Sequence, residues 1–264
     1  MTIAHMFWHG KLGKHQIASA LSFVDKGFDV YLWSIEPFNN LPSGITNMDA
    51  TELLPESFLK HSYIHWSDTT ENHDSYPEEK SRAVFYSDYL RILILKKYSG
   101  WWFDSDVFCL KDSLWFDQIS QSSDFCAGYE ENDSINNAIL YIANDKYFDA
   151  LINTMDDILN RQSTYVWGLF GPLMFTWLVN KYNLRDSVLP IETFYPFAGD
   201  YFRPWSPVLE DIKYCKEITK NTAALHWFDN VSGNKAVEYF NPNQESFMDT
   251  LFNSLSKYQI EKYV

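Results

Sequence analysis

A parallel α/β core is the fold class that this sequence predicts, on three observations. A short apolar segment near the start is followed by helical spacing and then by a second apolar segment. A long helical pattern from Glu78 to Tyr98 stops at Ser99-Gly100. A third apolar segment, Trp101-Trp102-Phe103, then runs straight into acidic residues. Strands alternating with helices in this order close most simply as a parallel sheet with helices packed on its faces.

The elements follow in order. Ile3 to Trp8 is a short apolar run closed by Gly10, a buried strand. His15 to Lys26 carries Ile17, Ala20, Leu21 and Val24 at helical spacing, and Gly27 ends it. Phe28 to Trp33 is the second strand. Residues 36–80 are interrupted by Pro37, Pro42, Pro55 and Pro77 and by a polar run from Asp68 to Ser75, so loops are expected there, with one short helix from Glu52 to Lys60. Beyond the third strand, Ile135 to Ala143, Tyr147 to Asn160 and Pro172 to Tyr182 read as helices. Residues 190–210 read as loop. Phe247, Leu251, Leu255 and Tyr258 share one face of a tail helix. No repeat and no domain linker is visible.

Composition narrows the function. The 264 residues are 46% hydrophobic and 18% aromatic, enough for a full core. A formal net charge of −14 without a basic stripe excludes nucleic acid as the natural partner and disfavours an anionic membrane surface. An acidic protein that holds an anionic ligand does so most simply through a divalent cation. Cys109, Cys126 and Cys215 are far apart and form no Cys-x-x-Cys, so neither a disulfide framework nor a zinc site is expected. The start lacks a basic stretch followed by an apolar one, and no apolar run reaches membrane-spanning length. The expectation is a cytoplasmic protein without a transmembrane segment, in which the sequons at Asn132 and Asn230 carry no meaning.

The chemistry concentrates at Asp104-Ser105-Asp106. A buried strand delivers both carboxylates to a sheet rim, where open α/β folds place their ligands. Two hard oxygen donors one residue apart suit Mg²⁺ or Mn²⁺, which would also take diphosphate oxygens. The competing reading of such a pair is a solvated turn cap. Upstream, Ser87, Asp88 and Arg91 interrupt an otherwise apolar helical segment. Asp88 and Arg91 are i, i+3 neighbours, either a simple helix ion pair or a polar face turned toward a ribose and a phosphate.

Ser87-Asp88-Tyr89-Leu90-Arg91, Tyr98-Ser99-Gly100 and Phe103-Asp104-Ser105-Asp106-Val107, in this order, resemble the sugar-binding region of Asp-x-Asp glycosyltransferases. The pattern is similar to glycosyltransferase family 32 and, more distantly, to the glucosylating domain of the large clostridial toxins. Ser99 departs from it, since the family usually has glycine there. The resemblance implies one GT-A-like domain over residues 1–264, a mixed and mostly parallel sheet flanked by helices, with a C-terminal helical tail at about 243–260. It implies retaining transfer of a hexose from a nucleotide-diphosphate sugar, UDP-linked first, to a saccharide or glycolipid acceptor, in the setting of surface-polysaccharide assembly. A lipid-borne acceptor would bring the protein transiently to a membrane face.

Site residues follow from the same resemblance. Asp106 would ligate Mn²⁺ or Mg²⁺ directly, Asp104 would bridge ribose and metal, and Asp88 and Arg91 would grip the donor. His5 to Gly10 is similar to the family's opening strand, whose Trp stacks on the donor uracil; Trp8 takes that role or is a core residue. Asn136-Asn137-Ala138-Ile139 resembles a segment whose Asn-Ala begins a helix lining the sugar pocket, so Asn137 is a donor contact or a helix cap. Gly171-Pro172 with Thr176 resembles a Gly-Pro-x-x-x-Thr motif that shapes the pocket. His226 stands where similar enzymes place a C-terminal metal ligand, with Asp229, Asn230 and Ser232 as alternatives and a structural His as the other reading. Glu130 and Glu131 are candidates for an acidic residue contacting the sugar, or are surface charge. Tyr201, Phe202 and Trp205 are candidates for stacking on an acceptor. Two other classes compete. A haloacid dehalogenase-type phosphatase would use Asp104 as nucleophile, though Phe108 stands where its motif usually carries Thr or Val. A carbohydrate-binding protein would fit the aromatic richness but would not need Asp88, Arg91 and both aspartates together.

Overall fold

The computed structural model describes residues 2–64, 78–197, 211–227 and 245–264. A seven-stranded sheet runs through it, built from β1 (Ile3–Phe7), β2 (Asp29–Ser34), β3 (Ile45–Asp49), β5 (Trp101–Phe103), β7 (Phe125–Tyr129), β8 (Ile135–Ile142) and β10 (Val188–Leu189). Its order is β10-β7-β8-β5-β1-β2-β3. β8 runs antiparallel to both neighbours, and the other pairings in the sheet are parallel. The mixed, mostly parallel sheet expected from the sequence is therefore present.

Two small ribbons complete the strand set. β4 (Tyr63–Ile64) pairs in parallel with β9 (Tyr165–Val166), and β6 (Val107–Cys109) pairs antiparallel with β11 (Ala224–His226). The helices are α1 (Lys14–Asp25), α2 (Glu78–Tyr98), α3 (Ser113–Ser122), α4 (Asp145–Arg161), α5 (Pro172–Tyr182), α6 (Ile191–Phe194), α7 (Ile212–Ile218) and α8 (Phe247–Ser254).

Side-chain alternation along the strands divides the core in two. Trp101 and Phe103 of β5 meet Phe116 of α3, and Phe103 meets Phe23 of α1, within a cluster that also includes the tail residues Phe247 and Leu251. Trp102, between them in sequence, faces the other way into a cluster with α2, α4 and α5. The next residue on Trp102's side is Asp104, so the strand itself aims that carboxylate toward α2. Phe247, Leu251 and Leu255 are buried, but the helix ends at Ser254, so of the four residues read onto one tail face Leu255 caps it and Tyr258 lies in the 3₁₀ turn beyond.

Three expectations fail here. The segment Ile135 to Ala143, expected as a helix, forms strand β8 over Ile135–Ile142. β8 lies inside the sheet with nearly every residue buried, so it lacks the alternation that marks a half-exposed strand. β3 falls in the stretch expected to be loop; it is an edge strand with polar Thr46 and Asn47. Asn47 uses those polar atoms to tie the edge, accepting from Phe38 N at 2.7 Å and donating to Ser34 Oγ at 2.8 Å. The short helix expected at 52–60 appears as two 3₁₀ turns, Ala50–Glu52 and Glu56–Lys60.

The turn from α2 into β5 explains why glycine is favoured there. Ser99 and Gly100 both take positive φ, 56° and 100°. A Cβ on Gly100 would lie 3.0 Å from the carbonyl oxygen of Ile3. Under this turn His5 is buried, its Nδ1 accepting from Trp33 Nε1 at 3.1 Å and its Nε2 standing 2.8 Å from the Ser99 carbonyl. Those partners require a neutral imidazole with the proton on Nε2. Burial accordingly lowers the His5 pKa from 6.5 to about 4.

The native state thus binds fewer protons than the unfolded chain between these values, so this group's contribution is present at neutral pH. It is lost as pH falls through 6.5 toward 4, amounting to about 3 kcal/mol in full. Urea unfolding at pH 7.5 and 4.5 should show wild type losing about 2–3 kcal/mol more than His5→Gln. Equal losses would contradict the assignment.

A glycine in β7 is fixed by packing. A Cβ on Gly128 would lie 2.6 Å from Tyr195 Cε2 and 2.8 Å from Phe194 Cδ2, both on buried rings. Gly128→Ala should cost about 1–3 kcal/mol in urea unfolding by overpacking. A neutral substitution would mean that those rings can move aside.

Candidate metal and donor site

The C-terminal ends of β1 and β5 lie side by side because these strands pair in parallel, Ala4 with Trp101 and His5 with Trp102. Trp8 follows β1, half-buried, with Nε1 donating to Lys11 O at 3.0 Å. Asp104 follows β5, and its N–H donates to Ala138 O of β8 at 2.7 Å. Val107 N then bonds back to Asp104 O at 3.1 Å, closing a four-residue turn that carries both aspartates.

The turn feeds directly into β6, and the register of β6 with β11 sets His226 opposite Val107. Trp227 N donates to Asp106 O at 3.1 Å, locking the strand end to the turn. His226 Nε2 thereby comes within 3.1 Å of Asp106 Oδ1 across 120 residues of sequence. Asp104, Asp106 and His226 each offer a ligand atom, and these atoms lie within 4.8 Å of one another.

Behind the turn, α2 supplies the cationic counterpart. Arg91 is only 2% exposed, and its guanidinium is held on all sides. Its two terminal nitrogens reach Asn137 O at 2.6 Å, Asp88 Oδ1 at 2.9 Å, Ser87 Oγ at 3.1 Å and Asp104 Oδ1 at 3.3 Å. Its planar face lies 4.9 Å from the Trp102 ring centre, a cation–π contact. Trp102 Nε1 also donates to Asp104 Oδ1 at 2.7 Å. Asp88, 4% exposed, accepts from Asn137 Nδ2 at 2.8 Å on Oδ1 and from Tyr63 Oη at 2.7 Å on Oδ2. One connected network therefore joins Asp88, Asn137, Arg91 and Asp104.

Electrostatics at the turn follow from this crowding. Burial, and then the charge of Asp106, push the Asp104 carboxyl up, while Arg91, His226 and the Trp102 N–H pull it down; it settles at about 6. Asp104 is half-buried, with 29% of its side-chain surface open. The His226 pKa is raised, because the nearby carboxylates of Asp106, Asp104 and Glu130 outweigh its burial. Glu130, just past β7, is also raised, chiefly by burial and partly by Glu131, against a hydrogen bond to Asn136 and the His226 charge. Asp104, Asp106 and Glu130 thus surround the imidazole, while Asp88 and Asp104 hold the guanidinium.

Of the residues singled out in the sequence, Asp88, Arg91, Asp104, Asp106, Asn137 and His226 come together, and Glu130 borders them. Asn137 and Ala138 lie within β8, so neither begins a helix; capping is ruled out as the reason for Asn137. Glu131 heads a 3₁₀ turn, Glu131–Asp133. Trp8 stands at the end of the strand next to β5. Gly171 caps α5, and a Cβ there would lie 3.1 Å from Asn137 Oδ1 and 3.5 Å from Asp88 Oδ2. Thr176 Oγ1 accepts from Ile135 N at 3.1 Å and pins the start of β8. Tyr201, Phe202, Trp205, Asp229, Asn230 and Ser232 lie outside the described residues.

The sequence reading missed three neighbours. Trp102 stands out there only as a strand residue, although its indole holds Asp104. Tyr63 gives no signal in a stretch expected to be loop. Tyr195 sits edge-on to His226, ring centres 5.7 Å apart, with Ile139 N donating to its hydroxyl at 3.2 Å.

The donor set fits a divalent cation. Two carboxylates and an imidazole match the preferences of Mn²⁺ and related ions. Their spread of up to 4.8 Å is close to the ~4 Å that separates opposite ligands of a six-coordinate ion. Asp104 is raised mainly by burial and in lesser part by the Asp106 charge, and a cation between the two carboxylates would offset both.

The model of the capsular polysaccharide synthesis protein family matches residues 61–166. That span contains Asp88, Arg91, Asp104, Asp106, Glu130 and Asn137; Trp8 and His226 fall outside it. No curated protein matches the chain. Several solved glycosyltransferases resemble it at low identity. The PaToxG glycosyltransferase is 15% identical, with a TM-score of 0.43 over 99% of this chain and 87% of that one. Galactosyltransferase LgtC in complex with donor and acceptor sugar analogues is 12% identical, with a TM-score of 0.47 over 96% and 95%. Mouse xyloside xylosyltransferase 1, in its apo form, is 10% identical, with a TM-score of 0.48 over 87% and 98%.

Proposed function

We propose that this chain is a metal-dependent glycosyltransferase of GT-A-like fold that moves a hexose from a UDP-sugar to a saccharide or glycolipid acceptor. The observation that carries this reading is the convergence of Asp104, Asp106 and His226 at the end of β5, backed by the buried Arg91–Asp88 pair. The match of residues 61–166 to a capsular polysaccharide synthesis family supports glycan assembly as the setting.

In this account Asp104, Asp106 and His226 hold Mn²⁺ or Mg²⁺, which would neutralise the departing diphosphate. Arg91 is already committed to protein partners, so its part is to fix Asp104 and balance its charge. Asp88 and Asn137 fix Arg91 in turn. The open face of Asp104 is then left for the ribose side of the donor. Trp8, beside it on the neighbouring strand, offers an indole surface to the base. Glu130, half-buried near His226 and Asn136, would be the leading acidic contact to the sugar, with Glu131 behind it. Transfer with retention follows from the resemblance to family 32 alone, and no nucleophile is assigned.

No described helix is long and apolar enough to cross a membrane. A glycolipid acceptor would accordingly be met at a membrane face, from the cytoplasm in this reading.

A nucleotide-sugar screen with and without Mn²⁺, reading released nucleoside diphosphate, tests the proposal. Turnover with at least one UDP-sugar that needs the ion is expected. Metal-independent turnover, or a phosphoaspartate formed on Asp104 from phosphate esters, would sink it.

A further inference from the structure

We propose that Tyr63 is a positioning residue for the acidic cluster, acting through Asp88 and Arg91 on Asp104; its effect on cation affinity rests on the metal role proposed above.

A carboxylate turns easily about its last torsion, so both oxygens must be held before either can hold a partner. Asp88 Oδ1 receives Arg91 and Asn137. Oδ2 receives the Tyr63 hydroxyl at 2.7 Å. Gly171 closes the remaining side, where even a Cβ would stand 3.5 Å from that oxygen. Asp88 is 4% exposed, so the hydroxyl takes the place that water would fill at a surface carboxylate.

The direction of the Tyr63 proton is also determined. Phe170 N donates to the Tyr63 oxygen at 3.3 Å, which leaves the hydroxyl proton for Asp88. Burial and the Asp88 charge raise the phenol pKa well above its ordinary value, so it remains a donor throughout the working pH range.

Tyr63 itself is rigidly placed. Its backbone N–H donates to Ser81 Oγ at 2.8 Å, and the Ser81 hydroxyl donates back to Tyr63 O at 2.9 Å, fastening β4 to α2. Its ring packs against Phe85 with ring centres 4.7 Å apart. A fixed ring thus orients Asp88, Asp88 orients Arg91, and Arg91 reaches Asp104 at 3.3 Å. Charged partners behind a metal carboxylate set its aim and basicity, and losing one typically costs about 10–100-fold in metal affinity.

The test uses the full chain and Tyr63→Phe, which keeps the ring and deletes the hydroxyl. Mn²⁺ affinity, measured by electron paramagnetic resonance on protein verified as folded by thermal melting, should fall about three- to tenfold, less than the loss of a partner directly behind a ligand would cost. In an Asp88→Asn background the same substitution should change affinity by less than about twofold, because the route runs through that carboxylate. A second readout needs no metal: the Arg91 Nε–Hε NMR resonance should shift or broaden in Tyr63→Phe. Wild-type Mn²⁺ affinity in the variant, an equal loss in both backgrounds, or an unmoved Arg91 resonance would each overturn the proposal. A wild type that binds no Mn²⁺ would overturn the metal reading, while the Arg91 resonance would still decide whether Tyr63 positions the network.

Discussion

Asp106→Ala is expected to abolish metal-supported transfer, lowering turnover about a thousandfold, while leaving the protein at least as stable as wild type. The loss follows from removing a cation donor whose charge stabilisation is worth several kcal/mol in such reactions. The retained stability follows from the crowding at the turn. Asp106 is one of the groups that push Asp104 up to about 6, so its removal relieves repulsion inside the site. Against this, His226 loses its partner at 3.1 Å, but that imidazole can return to its neutral form. Activity and stability should therefore separate, as they do where a functional site stores unfavourable charge. Initial rates across a Mn²⁺ titration, beside a urea unfolding curve, check both halves. Retained activity, or a loss explained by unfolding, would contradict the account.

Arg91→Met should destabilise the protein by about 3–5 kcal/mol, the range for breaking a buried ion pair from one side. The guanidinium is the cation against which both Asp88 and Asp104 are set, and Asp88 in particular would be left buried. Arg91→Lys should rescue little, since an ammonium cannot at once reach Asn137 O, Asp88 and Asp104 and lie flat on Trp102. Urea unfolding of both variants measures this. A change below about 1 kcal/mol in Arg91→Met would show that the pair is a surface-like contact and not a buried one.

Much of this arrangement is legible in the residues themselves. The strand Trp101-Trp102-Phe103 and the acidic pair after it are readable because apolar runs and charge changes are local signals. The helix bearing Asp88 and Arg91 is readable because the polar residues interrupt a long apolar segment. β8 misleads for a physical reason: a strand buried on both faces has no alternation, and Ala138, Leu140 and Tyr141 suit a helix equally well. Its correct reading depends on β5 and β7 flanking it, which is a fact of topology. β3 is hidden for the opposite reason, as an edge strand with polar residues between prolines.

The site divides along the same line. Asp104 and Asp106 are separated by a single residue and could be found there. The approach of His226 to Asp106 depends on the register of β6 with β11 and is suggested only by resemblance. Tyr63 could not be found, since nothing local distinguishes a tyrosine in a polar segment from one whose hydroxyl meets a carboxylate 25 residues away.

The central claim is that the Asp104-Asp106-His226 cluster holds a divalent cation and, through it, a nucleoside diphosphate. Isothermal titration of UDP into the protein, with Mn²⁺ and with a chelator, tests this most directly, repeated on Asp106→Ala. The account predicts binding by wild type only with Mn²⁺, and none by the variant under either condition. Equal UDP affinity with and without the ion, or undiminished binding by Asp106→Ala, would contradict it.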